Sequence, residues 1–73
     1  MSEFGKVLGE VLAEKKVTKA ELARRLGVSP QAVNGMVAVG NPTSKRLAQI
    51  AEALDLAFVD IARLVKSTAK PST

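Results

Sequence analysis

The chain has no cysteine, histidine, tryptophan or tyrosine. Without cysteine it can form neither a disulfide nor a thiolate metal site. Without histidine it lacks the commonest general base and metal ligand. Phe4 and Phe58 are the only aromatic residues, too few for the base-stacking platform that single-strand and RNA binders use. No apolar run is long enough to span a bilayer, and the N-terminus has no secretory pattern. Asp55 and Asp60 are too far apart in register to act as a carboxylate pair, and no other constellation meets a catalytic geometry. These absences predict a cytoplasmic, non-enzymatic chain with no metal, cofactor or small-molecule ligand.

Another absence is positional. Between Arg25 and Lys45 there is no charged residue at all. Over the whole 73 residues, however, 11 basic side chains face 7 acidic ones, a formal net charge of +4. That balance favours an anionic partner, nucleic acid first. The length allows one small domain, which buries roughly 60% of its unfolded surface.

The chain reads as short helical segments separated by turn signals. From Ser2 to Lys16, the residues Phe4, Val7, Leu8, Val11 and Leu12 recur at helical spacing. Ser2 suits the N-cap, and Gly5 and Gly9, one turn apart, suit close approach of another backbone. "TKAE" at Thr18 predicts a capping box closed by Glu21. Leu22, Ala23 and Leu26 follow on the inner face, and Gly27 ends the helix. "VSPQAVNGMV" opens the third segment, with Ser29 as N-cap, Pro30 in the first turn, and Val33 and Met36 facing the core. Thr43 or Ser44 caps the fourth, whose inner face is Leu47, Ile50, Ala51 and Leu54. A fifth begins near Ala57, with Phe58, Ile61, Ala62 and Val65 predicted on its buried side. The expected architecture is all-α, five helices over residues 1–66, followed by a polar, disordered tail at 67–73.

Two short helices joined by a glycine-containing turn match a helix-turn-helix. "VTKAELARRLGVSPQAVNGMV" followed by "GNPTSKRLAQIAEALDL" resembles the Cro/repressor-type, lambda repressor-like family of phage and bacterial regulators. The resemblance spans roughly Leu8 to Leu64. It implies a compact five-helix domain that binds double-stranded DNA, usually as a homodimer on an operator of two-fold character. Two positions depart from the common pattern: Lys19 stands where many relatives have glutamine, and "VAVGN" replaces a glutamate-asparagine-glycine turn.

In such a motif the start of the third helix enters the major groove. Mapped onto this chain, the base-contact candidates are Pro30, Gln31, Ala32, Asn34 and Gly35. Gln31 and Asn34 carry amides able to pair bidentately with adenine, and Pro30 or Ala32 can meet a thymine methyl. Base readout needs no charge; affinity does, because phosphate neutralisation supplies much of the binding energy. The phosphate-contact candidates flank the uncharged stretch: Thr18, Lys19, Arg24 and Arg25 before it, Ser29 at its start, and Asn41, Thr43, Ser44, Lys45 and Arg46 after it. Arg24 and Arg25 have a competing intramolecular partner in Glu21. Lys45 and Arg46 oppose their own helix dipole, which favours an external anion.

Apolar residues in excess of one buried face, namely Val37, Val39, Val59 and Leu64, are the dimer-interface candidates. A simple repressor acting by promoter occlusion is one functional expectation. A protein-interaction module, antitoxin or adaptor, that keeps the shape without DNA readout is the alternative.

Overall fold

The computed structural model of the protein describes residues 2–68. Among the described residues the chain forms five α-helices: α1 (Glu3–Lys15), α2 (Lys19–Leu26), α3 (Pro30–Val39), α4 (Ser44–Leu54) and α5 (Phe58–Ser67). There is no strand among them.

Hydroxyl side chains start the first four helices. Ser2 accepts from the Gly5 amide, Thr18 from Glu21, Ser29 from Ala32 and Thr43 from Arg46. Each such cap satisfies an otherwise orphaned N–H and contributes about 1 kcal/mol. The box predicted at α2 is only half made. The Glu21 carboxylate turns away from the Thr18 amide and binds Arg24 and Arg25 instead, because two guanidiniums outbid one backbone donor.

The exits are as local as the starts. Gly27 and Gly40 end α2 and α3 with φ of 74° and 71°. Lys16 and Asp55 adopt the same left-handed conformation without glycine, at a cost of roughly 1–2 kcal/mol each. Arg25 donates to the Ala53 carbonyl at 3.1 Å and Lys15 to the Asp55 carbonyl at 3.4 Å. Two cations thereby neutralise the C-terminal end of α4, which has no basic residue of its own in its last turn.

α2 packs on α3 and α4, while α1 packs on α3 and α5. The core takes Phe4, Leu8, Val11 and Leu12 from α1, and Leu22 and Ala23 from α2. Val33, Ile50, Leu54 and Leu64 close it from the other helices. Ala23 is 1% exposed where α2 meets its neighbours, so a larger side chain there would push the helices apart.

Met36 packs half-buried against the core, as its spacing predicts, and Val37 is buried within it. Three sequence expectations are corrected. Val37 therefore cannot serve a dimer interface, and neither can Leu64, which is 2% exposed. On α5 the buried stripe is turned. Phe58 and Val65 are exposed at 85% and 43%, and Leu64 and Ser67 are buried. Leu64 packs into the core, and beside it Arg63 reaches Glu10 and Glu14 on α1 and Asp60 on its own helix. The Arg63 and Leu64 side of α5 therefore faces α1. Finally, α5 continues through Ser67, whose hydroxyl donates to the Leu64 carbonyl at 2.7 Å. That is one residue into the segment read as tail, the last part of which lies outside the described residues.

Candidate nucleic-acid interface

The helix-turn-helix is built by α2, Gly27 and α3. The Val28 amide donates to the Ala23 carbonyl at 2.9 Å and the Gly27 amide to Arg24 at 3.2 Å. These bonds close the end of α2 before Ser29 starts α3. With Leu22 and Val33 both fully buried, the crossing of the two helices is fixed from inside.

The outer surface of α3 is the uncharged one. Pro30, Gln31, Ala32, Asn34 and Gly35 are all exposed. No side-chain hydrogen bond holds Gln31 or Asn34 among the described residues, so both amides present free donors and acceptors. Ser29 is exposed and its oxygen accepts from Ala32 at 3.2 Å, which leaves its proton available to an acceptor such as phosphate. Thr18 and Thr43 stand in the same condition at the starts of α2 and α4.

An open groove of about 330 Å³ lies beside α3. Ala32, Gly35, Met36 and Val39 line it from α3, Val28 from the turn before, and Asn41 and Pro42 from the link after. Arg46, in the first turn of α4, also lines it. The fold thus brings Ala32 and Gly35 of the base-contact set together with Asn41 and Arg46 of the phosphate set. The groove is not evident from the sequence alone. Its signal was present in the apolar run "MVAV" and in Pro42, but periodicity alone cannot show that a helix and the following link leave a gap.

The basic residues divide into two groups. Among the described residues Lys45 and Arg46 form no ion pair. They sit at the N-terminal end of α4, where no acidic residue balances them. Arg24 and Arg25 both close on Glu21. Arg25 also lines a second shallow groove with Leu26, Gln49, Glu52 and Ala53. Ala53 is seven residues beyond Arg46, roughly 10 Å along the helix. Arg25 therefore serves the opposite end of α4 from Arg46. Arg24 remains largely in solvent, with 78% of its side chain exposed. Lys19 is exposed next to the Thr18 cap.

The Arg25 hydrogen bond is the first cause that holds the Glu21 carboxyl below its ordinary range, aided by the charge of Arg24. The Arg63 guanidinium is held above its ordinary value, chiefly by Asp60 and then by Glu14. Neither group belongs to the uncharged surface of α3. Among the described residues no three acidic groups are arranged to hold a metal ion.

The exposed apolar residues outside the groove gather on α5. Phe58 and Val59 are 85% and 64% exposed. Of the four residues expected at a dimer interface, Val59 keeps an open position there, whereas Val39, equally exposed, lines the groove beside α3.

The sequence matches the family described as the Cro/C1-type HTH DNA-binding domain over residues 7–67. No curated protein and no solved structure matches it.

Proposed function

The chain belongs to the Cro/C1-type helix-turn-helix DNA-binding family, and from that premise we propose that it is a sequence-specific regulator of transcription that binds double-stranded DNA in the cytoplasm of a bacterial or phage-infected cell. One observation carries the reading. The exposed start of α3 presents two unengaged amides, Gln31 and Asn34, and the adjoining end of α4 presents two unpaired cations, Lys45 and Arg46. Amides discriminate bases, and cations supply affinity through phosphate. Pro30, Ala32 and Gly35 complete the base-facing surface, while Thr18, Lys19, Ser29, Asn41, Thr43 and Ser44 surround it with neutral or basic phosphate donors. Arg24 contributes after release from Glu21. Arg25 is chiefly a structural residue.

The exposed Phe58 and Val59 support a homodimer formed through α5. A two-fold pair would set two α3 helices roughly 34 Å apart on one side of the duplex. Binding of this kind represses most simply by covering a promoter.

The test is selection of duplexes from a random-sequence pool at about 0.15 M salt, where weak surface electrostatics are screened. An enriched inverted repeat is the expected result. No enrichment by the folded protein would overturn DNA readout and favour the interaction-module alternative, for which the apolar groove beside α3 would be the binding surface.

A further inference from the structure

We infer that Ser2 is a positioning residue for DNA readout. Through the end of α3 it sets the register between the amides of Gln31 and Asn34 and the cations at the start of α4, Lys45 and Arg46. This rests on the reading that α3 faces DNA.

Specific binding needs two sets of contacts at once. Amides must meet base edges while cations meet phosphates, and the duplex fixes the distance between the two. In this chain the two sets lie on different helices. Lys45 and Arg46 occupy the first turn of α4, whose first buried residue is Ile50. The core therefore grips α4 beyond its cations, and what precedes them places the first turn. That link is short and stiff. Asn41, Pro42 and Thr43 alone join Gly40 to α4. Pro42 fixes its own φ and restricts Asn41. The direction in which the chain leaves Gly40 thus carries through to Lys45 and Arg46.

The start of α1 anchors that direction. The Ser2 hydroxyl donates to the Val37 carbonyl at 2.6 Å. Gly40 is buried beneath Ser2, where a Cβ would collide with the serine side chain. A Cβ on Gly5 would collide with Val37. Gly5 lies inside α1, where glycine weakens a helix, so the close approach is the reason for it. Capping alone does not require this tie. Thr18, Ser29 and Thr43 cap their helices with the same geometry. Among the described residues, Ser2 is the one helix-starting hydroxyl that also donates to another helix.

The experiment measures affinity of the whole protein for the duplex recovered by the selection above and for a duplex of scrambled sequence. Ser2→Ala removes both the cap and the tie. Ser2→Asp keeps the cap, because a carboxylate accepts from an amide, but it cannot donate to Val37. Ser67→Ala is the control: on α5 it removes another hydroxyl-to-carbonyl bond, of 2.7 Å to Leu64. All are compared at a temperature where circular dichroism shows each to be folded. Both Ser2 variants should lose about five-fold in the ratio of specific to non-specific affinity, the worth of one hydrogen bond. Their binding to the scrambled duplex should not change, and Ser67→Ala should keep the parent's ratio. An unchanged ratio in the Ser2 variants would overturn the inference. So would an equal loss in Ser67→Ala, because loosening anywhere in the fold would then suffice. A loss in Ser2→Ala with none in Ser2→Asp would assign the effect to the α1 cap and overturn the tie. If Ser2→Asp does not fold, the contrast of Ser2→Ala with Ser67→Ala decides. Failure of the parent in the selection itself would overturn the reading of α3 as DNA-facing, and this inference with it.

Discussion

The Ser2 hydroxyl donates to the Val37 carbonyl at 2.6 Å while its oxygen accepts from the Gly5 amide at 3.0 Å. One side chain therefore caps α1 and ties that cap to the C-terminal half of α3. The tie spans 35 positions of sequence. It also satisfies a carbonyl near the end of α3, where the helix has no following turn to receive it. Ser2→Ala removes both bonds. We expect it to lower stability by about 1–2 kcal/mol, read from the midpoint of urea unfolding. An unchanged midpoint would show that the contact is not formed in solution.

Gly5 and Gly9 should respond in opposite directions to the same change. A Cβ on Gly5 would lie 2.6 Å from Val37 Cγ1 and 2.8 Å from the Val37 carbonyl oxygen, whereas one on Gly9 would meet nothing within 4 Å. Gly5→Ala must push α1 from α3, and overpacking of this kind costs about 1–3 kcal/mol. Gly9→Ala should gain about 0.5–1 kcal/mol through helix propensity. Thermal unfolding of the pair decides: if both substitutions stabilise, the close approach of α1 and α3 at Gly5 is wrong.

Glu21 makes stability depend on acid pH in a definite sense. Its folded-state pKa is lowered, first by the hydrogen bond from Arg25. The contribution is thus fully present above the ordinary glutamate pKa and is lost as pH falls through the lowered value. Glu21→Gln should be less stable than the parent at about pH 7, and the gap should narrow towards about pH 3. A gap that widens with acidification would contradict the assigned pairing. The exposure of the site keeps the effect small and sensitive to salt.

Readout and affinity should separate by residue. Arg46→Ala and Lys45→Ala should each weaken binding on all duplexes alike. Each should also lower the slope of log affinity against log salt by about 1. Gln31→Ala and Asn34→Ala should leave the slope in place and relax selectivity at one base position, by about 1–3 kcal/mol each. Titrations of matched and mismatched duplexes at several salt concentrations distinguish the two classes. A change of slope with Gln31→Ala would mean that this side chain helps to neutralise phosphate.

Phe58 should matter for assembly and not for folding. It is 85% exposed, so Phe58→Ser should change stability of the monomer by no more than about 0.5 kcal/mol. Sedimentation equilibrium should show the variant as a weaker dimer, with affinity for a two-half-site duplex reduced and for one half-site retained. Unaltered association would move the dimer surface away from α5.

The sequence determined whatever depends on neighbours in the chain. Thr18, Ser29 and Thr43 start helices because a hydroxyl can reach an amide three residues on, and Gly27 ends α2 because it tolerates a left-handed turn. The uncharged stretch that carries Gln31 and Asn34 was likewise legible, because α3's outward face follows from the burial of Val33. Tertiary structure decided what local spacing leaves open. α5 has apolar residues around much of its circumference, so spacing pointed to Phe58 and Val65 as readily as to Leu64. The choice was made by packing: Leu64 enters the shared core, and Arg63 beside it meets Glu10 and Glu14 some fifty positions earlier in the chain. Glu21 at helical spacing already set Arg24 and Arg25 apart from Lys45 and Arg46, but not where each pair stands relative to α3. Arg25 is folded onto the far end of α4, while Arg46 stands beside α3. The groove at Gly35 belongs to the same class: α3, the turn before it, the link through Pro42 and the start of α4 line it together, and no local spacing brings those segments to one place.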